Sequence, residues 1–173
     1  MSNVAKVLKT IKDKEVKFVD LRFTDTKGKW QHTAQTSSTI DANTFKDGIM
    51  FDGSSIAGWK NINESDMILM PDPSTAVLDP FTAQPQLILF CDVIEPSDGK
   101  PYELDPRSTG KKAEAYLKSS GIGEKCFFGP EAEFFIFDDV KWSTDQEYTF
   151  FSIDSEEGAY NTGTEMEGGN MGH

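Results

Sequence analysis

Hydrophobic and polar residues along the first part of the chain follow the spacing of a helix and then that of strands. Apolar residues recur at i, i+3, i+4 and i+7 at Val4, Val7, Leu8 and Ile11, which predicts a short amphipathic helix. Between Val19 and Phe23 apolar and charged residues alternate, as in a half-buried strand. A turn sequence at 26–28 leads into a second segment at 30–34, so the pattern predicts a β-hairpin.

Further short elements are predicted up to about residue 95. Asp41 can cap a helix of one or two turns that ends near Gly48. Strands are predicted at 67–70, 75–78 and 86–93. The last of these is a near-continuous apolar run, which is typical of a central strand. A small α+β domain follows from this order.

The residue pattern of the chain changes after a turn-rich linker at 96–101. Asp105 and Pro106 are suited to the N-cap and first position of a helix, and Gly121 is suited to its end. Strands are predicted at 128–137 and 148–154, followed by a glycine-rich tail. We therefore predict two domains, 1–103 and 104–173. The second is too small and too acidic to close its own core, and we expect residues 155–173 to be unordered.

Composition indicates a globular protein rather than a disordered or membrane one. The 173 residues are 37% hydrophobic, enough for one domain or for one domain plus a piece. No apolar stretch approaches the roughly 18 residues of a membrane helix, and the first residues do not resemble a signal peptide. A cytoplasmic location is expected. Cys91 and Cys126 both lie in apolar runs, which favours reduced core thiols over a disulfide or a zinc site.

Charge is concentrated at one end of the chain. Of the net −12, residues 131–173 supply −10, with 11 acidic residues against Lys141 alone. Nucleic-acid binding requires a basic stripe, so this distribution argues against a nucleic-acid partner. Divalent cations, ammonium or a basic protein surface fit it better.

The first candidate site is the pair Glu131 and Glu133 within the aromatic segment 128–137. In a strand, residues i and i+2 project to the same face about 6.6 Å apart. Carboxylates among phenylalanines need cations or hydrogen bonds, so a divalent-metal site is one hypothesis. An edge strand with two solvated glutamates is the alternative, since glutamates are mostly exposed.

The second candidate site is the loop from Asp52 to Trp59, which combines a carboxylate, two serines and two glycines. The spacing of Gly53 and Gly58 matches a phosphate-binding P-loop, but Trp59 stands where that motif has lysine. A P-loop is therefore excluded. A plain turn with Trp59 folded over the core stays open as an alternative.

The two histidines argue against two kinds of site. His32 and His173 are the only histidines, and neither an H-E-x-x-H zinc site nor a classical Ser-His-Asp triad is expected from them. A serine nucleophile at Ser54 or Ser55 would also lack a nearby base.

Taken together, 51–59 and 129–135 resemble the N-terminal part of a bacterial type I glutamine synthetase. Residues 19–23 and 105–107 extend the resemblance over essentially the whole chain. It implies a β-grasp domain over about 15–100, followed by the start of an antiparallel-sheet catalytic domain. Only about the first third of the family's length is present, so we expect a truncated, inactive chain.

The resemblance also implies roles for individual residues. Asp52 corresponds to the aspartate of the ammonium pocket, which one subunit contributes to the next. The loop residues on the substrate side are Gly53, Ser54, Ser55 and Trp59. Glu131 and Glu133 correspond to ligands of two Mg²⁺ or Mn²⁺ ions. The implied substrates are glutamate, ammonium and ATP, and the implied assembly is two stacked hexagons with shared active sites.

Two other functions stay open at this point. The chain could be a non-enzymatic β-grasp module that docks on or modulates full-length subunits. It could also be an acidic cation buffer.

Overall fold

The computed structural model describes residues 2–155. In chain order the helices and strands are α1 (Asn3–Asp13), β1 (Phe18–Thr24), β2 (Trp30–Thr36), α2 (Thr44–Asp47), β3 (Ile49–Asp52), β4 (Asp66–Pro71), β5 (Val77–Leu78), β6 (Gln86–Ile94), α3 (Pro106–Ser120), β7 (Asp139–Thr144) and β8 (Thr149–Asp154). The expectation that residues 155–173 are unordered falls, apart from Ser155, outside the described residues.

The chain divides at Cys126 into two compact units. The first contains a mixed sheet in the order β2-β1-β6-β4-β3, with β5 paired to β6. β1 runs parallel to β6, and the other pairings are antiparallel. Together with three helices this sheet confirms the predicted α+β class.

Alternation of side chains explains why one face of the sheet is the core. Val19, Leu21 and Phe23 of β1 point to the same face and are buried. Central β6 is buried over most of its length, as its apolar run predicts. The core is completed by residues from neighbouring strands, α1 and loops, including Val7, Ile56, Trp59, Met67, Leu69 and Tyr102.

Helix α3 is attached to the sheet through its first turn. Asp105 is fully buried and accepts hydrogen bonds from the Arg107 amide at 2.9 Å and the Ser108 hydroxyl at 3.0 Å. The same carboxylate accepts from the Val93 amide of β6 at 3.1 Å. The helix ends at Gly121 in the left-handed conformation, so both predicted caps are confirmed.

The second unit contains the hairpin β7–β8, in which Asp139 pairs with Asp154 and Thr144 with Thr149. The prediction of a strand at 148–154 is confirmed by β8. The predicted strand at 128–137 is wrong for the described residues, because this segment has no regular secondary structure. A strand is stabilised by a hydrogen-bonded neighbour, and within 2–155 none pairs with this segment.

Three smaller expectations also need correction. Strand 75–78 is reduced to Val77–Leu78, because Pro73–Thr75 forms a 3₁₀ turn. Strands β3 and β7 were not predicted, because β3 has only four residues and β7 has only two apolar side chains. Cys91 is buried as expected, whereas Cys126 is exposed because its apolar run lies at the surface of the described chain.

Across residues 2–155, no helix combines the length and hydrophobicity needed to cross a bilayer.

Candidate functional site

Asp52 lies at the end of edge strand β3 and begins the loop. A 3₁₀ turn follows at Gly53–Ser55, with Asp52 as its N-cap. The Asp52 Oδ1 atom accepts hydrogen bonds from the Ser54 amide at 2.8 Å and the Ser54 hydroxyl at 2.6 Å. An exposed carboxylate is thus held in one orientation by the residue two positions later.

These hydrogen bonds also keep Asp52 ionised. The Ser54 hydroxyl and amide, and to a lesser extent the Ser65 hydroxyl, lower the pKa of Asp52 below its ordinary value, and together they outweigh the opposing effect of desolvation. Donors that bind the charged form of a carboxyl group favour that form. Asp52 is therefore arranged as a fixed negative charge at the edge of the sheet.

Gly53 brings the loop close to β4. Its amide donates to the Ser65 carbonyl at 2.7 Å. A Cβ atom at this position would lie 2.5 Å from the Met67 Sδ atom, closer than two non-bonded heavy atoms can approach. Glycine is needed here because the backbone itself packs against Met67.

Trp59 anchors the other end of the loop. Its side chain is 6% exposed, and its ring lies 5.6 Å from Phe23 and 5.1 Å from Tyr102, centroid to centroid. The Tyr102 hydroxyl donates to the Trp59 carbonyl at 2.8 Å. The structure thus shows the packing arrangement that the sequence left open as the alternative, and contact of Trp59 with a ligand stays a prediction.

The two serines of the loop differ. The Ser54 hydroxyl is bound to Asp52, whereas the exposed Ser55 side chain makes no hydrogen bond within residues 2–155. Of the two, only Ser54 therefore has its hydroxyl proton committed to Asp52.

Glu131 and Glu133 lie in the second unit, in the irregular segment before β7, and both are exposed. Farther along this segment the Phe135 and Phe137 rings stack with centroids 6.1 Å apart, as expected for side chains at i and i+2 on one face. The structure does not form the strand, so same-face projection of the two glutamates stays a prediction.

A divalent-metal centre needs several oxygen donors around one ion. Carboxylate oxygens are the donors that Mg²⁺ and Mn²⁺ prefer. Within the described part of the chain, however, no group of three or more histidine, cysteine or acidic side chains is arranged to hold a metal ion. Glu131 and Glu133 fit the chemistry of such an ion but do not complete a centre among these residues.

Ser65, a contributor to the first site, and a second Asp-x-Ser arrangement elsewhere in the first unit were both missed from the sequence. Ser65 reaches the loop both through its carbonyl, which binds Gly53, and through its hydroxyl, which acts on Asp52. Asp72 and Ser74 repeat the Asp-x-Ser geometry of Asp52 and Ser54. The repeated Asp-x-Ser pattern was a visible signal, whereas the proximity of Ser65 depends on the pairing of β3 with β4.

Two sequence families match the chain in succession. The glutamine synthetase β-grasp domain matches residues 15–96, and the glutamine synthetase catalytic domain matches residues 103–171. Together these two matches cover most of the chain, in the order found in one family.

Individual proteins with similar sequences include a member of the same family. The glutamine synthetase of Azospirillum brasilense is 59% identical over all 173 residues. The 3-hydroxylaminophenol mutase of Cupriavidus pinatubonensis is 58% identical over 171 residues, 99% of this chain. The chain spans 37% of the first relative and 36% of the second.

A solved structure supports the fold. The cryo-EM structure of Plasmodium falciparum glutamine synthetase matches with a TM-score of 0.66 and 28% identity, over 91% of this chain and 30% of that one. The β-grasp assignment of the first domain is thereby confirmed. The chain belongs to the glutamine synthetase family, of which it represents the N-terminal third.

Proposed function

We propose that the chain is part of an ATP-dependent glutamate–ammonia ligase, which joins ammonium to glutamate through γ-glutamyl phosphate. The observation that carries this proposal is 59% identity to a glutamine synthetase over the whole chain. Because the chain spans 37% of that relative, the activity is proposed for the whole protein and not for these residues alone. A cytoplasmic location agrees with the use of ATP.

Asp52 is proposed to form part of the ammonium pocket, contributed to a neighbouring subunit. Its exposure at the sheet edge and its lowered pKa support this role. A carboxyl group with a lowered pKa is a weak base but a persistent negative charge. We therefore propose that Asp52 attracts and holds the ammonium cation more than it removes a proton from it.

Glu131 and Glu133 are proposed to supply oxygen ligands to the two Mg²⁺ or Mn²⁺ ions of the whole enzyme. When bound, such ions neutralise charge on transferred phosphoryl groups. Two carboxylates do not form a stable Mg²⁺ site alone, so the remaining ligands must come from outside residues 2–155.

The exposed part of the loop, Gly53 to Ser55, is proposed to face the substrate side of a site shared between subunits. Trp59 is proposed to support that loop from the core, where its ring is packed. A head-to-tail homo-oligomer with shared sites closes into a ring. We also propose a domain boundary near residue 103, which agrees with the gap between the two family matches.

The proposed activity can be tested with the chain alone and with a graft. The isolated 173-residue chain should release no ADP above background with ATP, glutamate, ammonium and Mg²⁺. Grafted in place of the matching region of the Azospirillum enzyme, it should support turnover at an enzymatic rate, about 1 s⁻¹ or faster. Asp52→Asn in the graft should raise the KM for ammonium, because it removes the negative charge.

The control for this experiment is Asp47→Asn, which removes an exposed carboxylate that makes no side-chain hydrogen bond in the described chain. It should leave the KM for ammonium unchanged. An inactive but assembled graft would contradict the ligase proposal, and so would mutase activity without ligase activity.

A second candidate function is a module that docks on full-length subunits. The observation that favours it is the exposed apolar surface of the second unit, where Phe128, Phe134, Trp142 and Phe151 are all more than 70% exposed. Contiguous exposed apolar patches commonly mark protein interfaces. Co-elution of the chain with the intact Azospirillum enzyme, or a change in the activity of that enzyme, would support this function. The absence of both effects would exclude it.

A further inference from the structure

The first unit contains two copies of one Asp-x-Ser arrangement. In the Asp52 copy, Oδ1 accepts from the amide and hydroxyl of Ser54 at 2.8 and 2.6 Å. In the Asp72 copy, Oδ1 accepts from the amide and hydroxyl of Ser74 at 2.9 and 2.6 Å. Each aspartate caps a 3₁₀ turn, so the two sites are a natural matched pair.

The Asp72 copy shows what the arrangement does with its second oxygen. Asp72 Oδ2 pairs with an amino group of Arg107, which also binds Asp92 Oδ1 through Nε at 2.8 Å. Desolvation alone would raise the pKa of Asp72, but the donors of Ser74 and the positive charges of Arg107 and Lys111 outweigh it and lower the pKa. Ser74 thus holds one oxygen of the Asp72 carboxylate, and the other oxygen binds the cationic side chain of Arg107.

The Asp52 copy has no such internal cation. Within residues 2–155 no lysine, arginine or histidine side chain forms an ion pair with Asp52, and the residue is exposed. Its Oδ1 atom is occupied by two donors of Ser54, as at Asp72. A carboxylate in this state can receive a cation that comes from outside the chain.

We propose that Ser54 is a positioning residue, which fixes Oδ1 of Asp52 so that Oδ2 is presented to a small external cation. The identity of the cation as ammonium rests on the function proposed above. The role of Ser54 rests on the geometry alone.

The hydrogen bonds of Ser54 to a single oxygen of Asp52 are the physical reason for this assignment. A hydroxyl group has one proton to donate, and Ser54 donates it to Asp52 at 2.6 Å. The side chain of Ser55 makes no hydrogen bond in the described chain, so it does not hold Asp52. The two adjacent serines therefore have separable roles.

The experiment is a carboxyl ¹³C NMR pH titration of the full 173-residue chain, with Asp52 and Asp72 followed in the same sample. Ser54→Ala should raise the pKa of Asp52 toward its ordinary value and leave Asp72 unchanged. Ser54→Thr keeps the hydroxyl and should restore the low pKa of Asp52. Ser74→Ala should raise the pKa of Asp72 alone, and Ser55→Ala should affect neither.

Folding of each variant is monitored by its amide spectrum. Should Ser54→Ala lose the dispersed spectrum, Ser54→Cys replaces it, because a thiol donates weakly and the same rise in the pKa of Asp52 is expected. An Asp52 titration that is identical in wild type and in the folded Ser54 variant would overturn the proposal. So would a rise in the pKa of Asp52 with Ser55→Ala as large as with Ser54→Ala.

The cation is tested separately, by adding ammonium chloride or sodium chloride at equal ionic strength near neutral pH. We expect ammonium to shift the Asp52 carboxyl resonance more than sodium does, and Ser54→Ala to reduce that difference. If Ser54 controls the titration of Asp52 but ammonium has no specific effect, the positioning role stands and binding of ammonium by these 173 residues alone is excluded. If ammonium binds equally well to wild type and Ser54→Ala, the positioning role fails.

Discussion

Gly48 occupies the turn between α2 and β3 and shows how strongly one position can be restricted. Its φ is +74°, and a Cβ atom there would lie 2.3 Å from the Ile68 Cγ2 atom and 2.8 Å from the Leu69 carbonyl oxygen. The positive φ disfavours any residue with a side chain, and the neighbouring Ile68 and Leu69 atoms leave no space for a Cβ atom. Because β3 carries Asp52 at its end, the position of the candidate site depends on this glycine.

We expect Gly48→Ala to lower the free energy of unfolding by about 2–4 kcal/mol, because backbone strain and a steric clash combine. Gly28→Ala is the matched control, since Gly28 has φ of +82° but no atom within 4 Å of its Cβ position. It should cost only the conformational strain, about 1–2 kcal/mol. Urea unfolding of both variants measures the difference, and equal losses would contradict the steric argument.

Trp59 illustrates the limit of sequence reasoning at the residue scale. A tryptophan beside a glycine-rich loop is compatible with ligand contact and with core packing, and residue type does not distinguish them. The distances from Trp59 to Phe23 and Tyr102 show that its side chain is packed in the core. These contacts join residues far apart in the sequence, so residue type alone does not reveal them. The Asp-x-Ser pattern, by contrast, is local and was readable in advance.

At the scale of elements, α3 is connected to the sheet by charge and hydrogen bonding more than by apolar packing. Within the helix only Ser108 is buried. Asp105 satisfies the amides of Arg107 and Val93, while Arg107 pairs with Asp92 and Asp72. One carboxylate thus both caps the helix and ties it to β6.

We expect Asp105→Ala to destabilise the chain by about 2–4 kcal/mol, because it removes an N-cap and leaves the buried Val93 amide without an acceptor. Ser2→Ala is the comparison, since Ser2 caps α1 through an exposed hydrogen bond from the Ala5 amide at 3.2 Å. Its cost should be about 0.5–1 kcal/mol. Thermal unfolding compares the two caps, and similar losses would mean that the bond to Val93 contributes little.

Elements with strong local signals were predicted, and those that depend on a neighbour were not. Helices α1 and α3 and the first hairpin follow from periodicity, caps and a turn. The four-residue strand β3 exists because it pairs with β4, and its own sequence carries little periodicity. The segment at 128–137 has the composition of a strand, but composition cannot supply the hydrogen-bonding partner.

At the scale of the whole molecule, negative charge makes stability sensitive to acid. Ser74 and Arg107 hold the pKa of Asp72 below its ordinary value despite desolvation. A carboxyl group with a lowered pKa in the folded state stabilises the fold above its ordinary pKa, and this contribution is lost as the pH falls through the lower folded value. Hydrogen bonds from serine, lysine or glutamine similarly lower the pKa of Asp25, Asp52, Asp98 and Glu114.

We therefore expect the urea midpoint of the chain to fall as the pH decreases from about 6 to about 3. Asp72→Asn should be less stable near neutral pH and should show a weaker dependence on pH, because it lacks this titration. Asp47→Asn makes the same change in charge without the loss of a side-chain hydrogen bond and should parallel wild type. A pH dependence of Asp72→Asn as steep as that of wild type would contradict the assignment.

The sequence by itself determined the α+β class, the family, the main caps and the identity of the candidate residues. These follow from local periodicity, from residue types with restricted roles and from two motifs in a fixed order. Only the tertiary structure decided that Trp59 is packed in the core, that Ser65 and Gly53 meet, and that Asp72 binds Arg107 while Asp52 binds no cation of the described chain. The reason is physical: periodicity and caps act between near neighbours, whereas burial, strand pairing and ion pairs depend on residues brought together from distant parts of the chain.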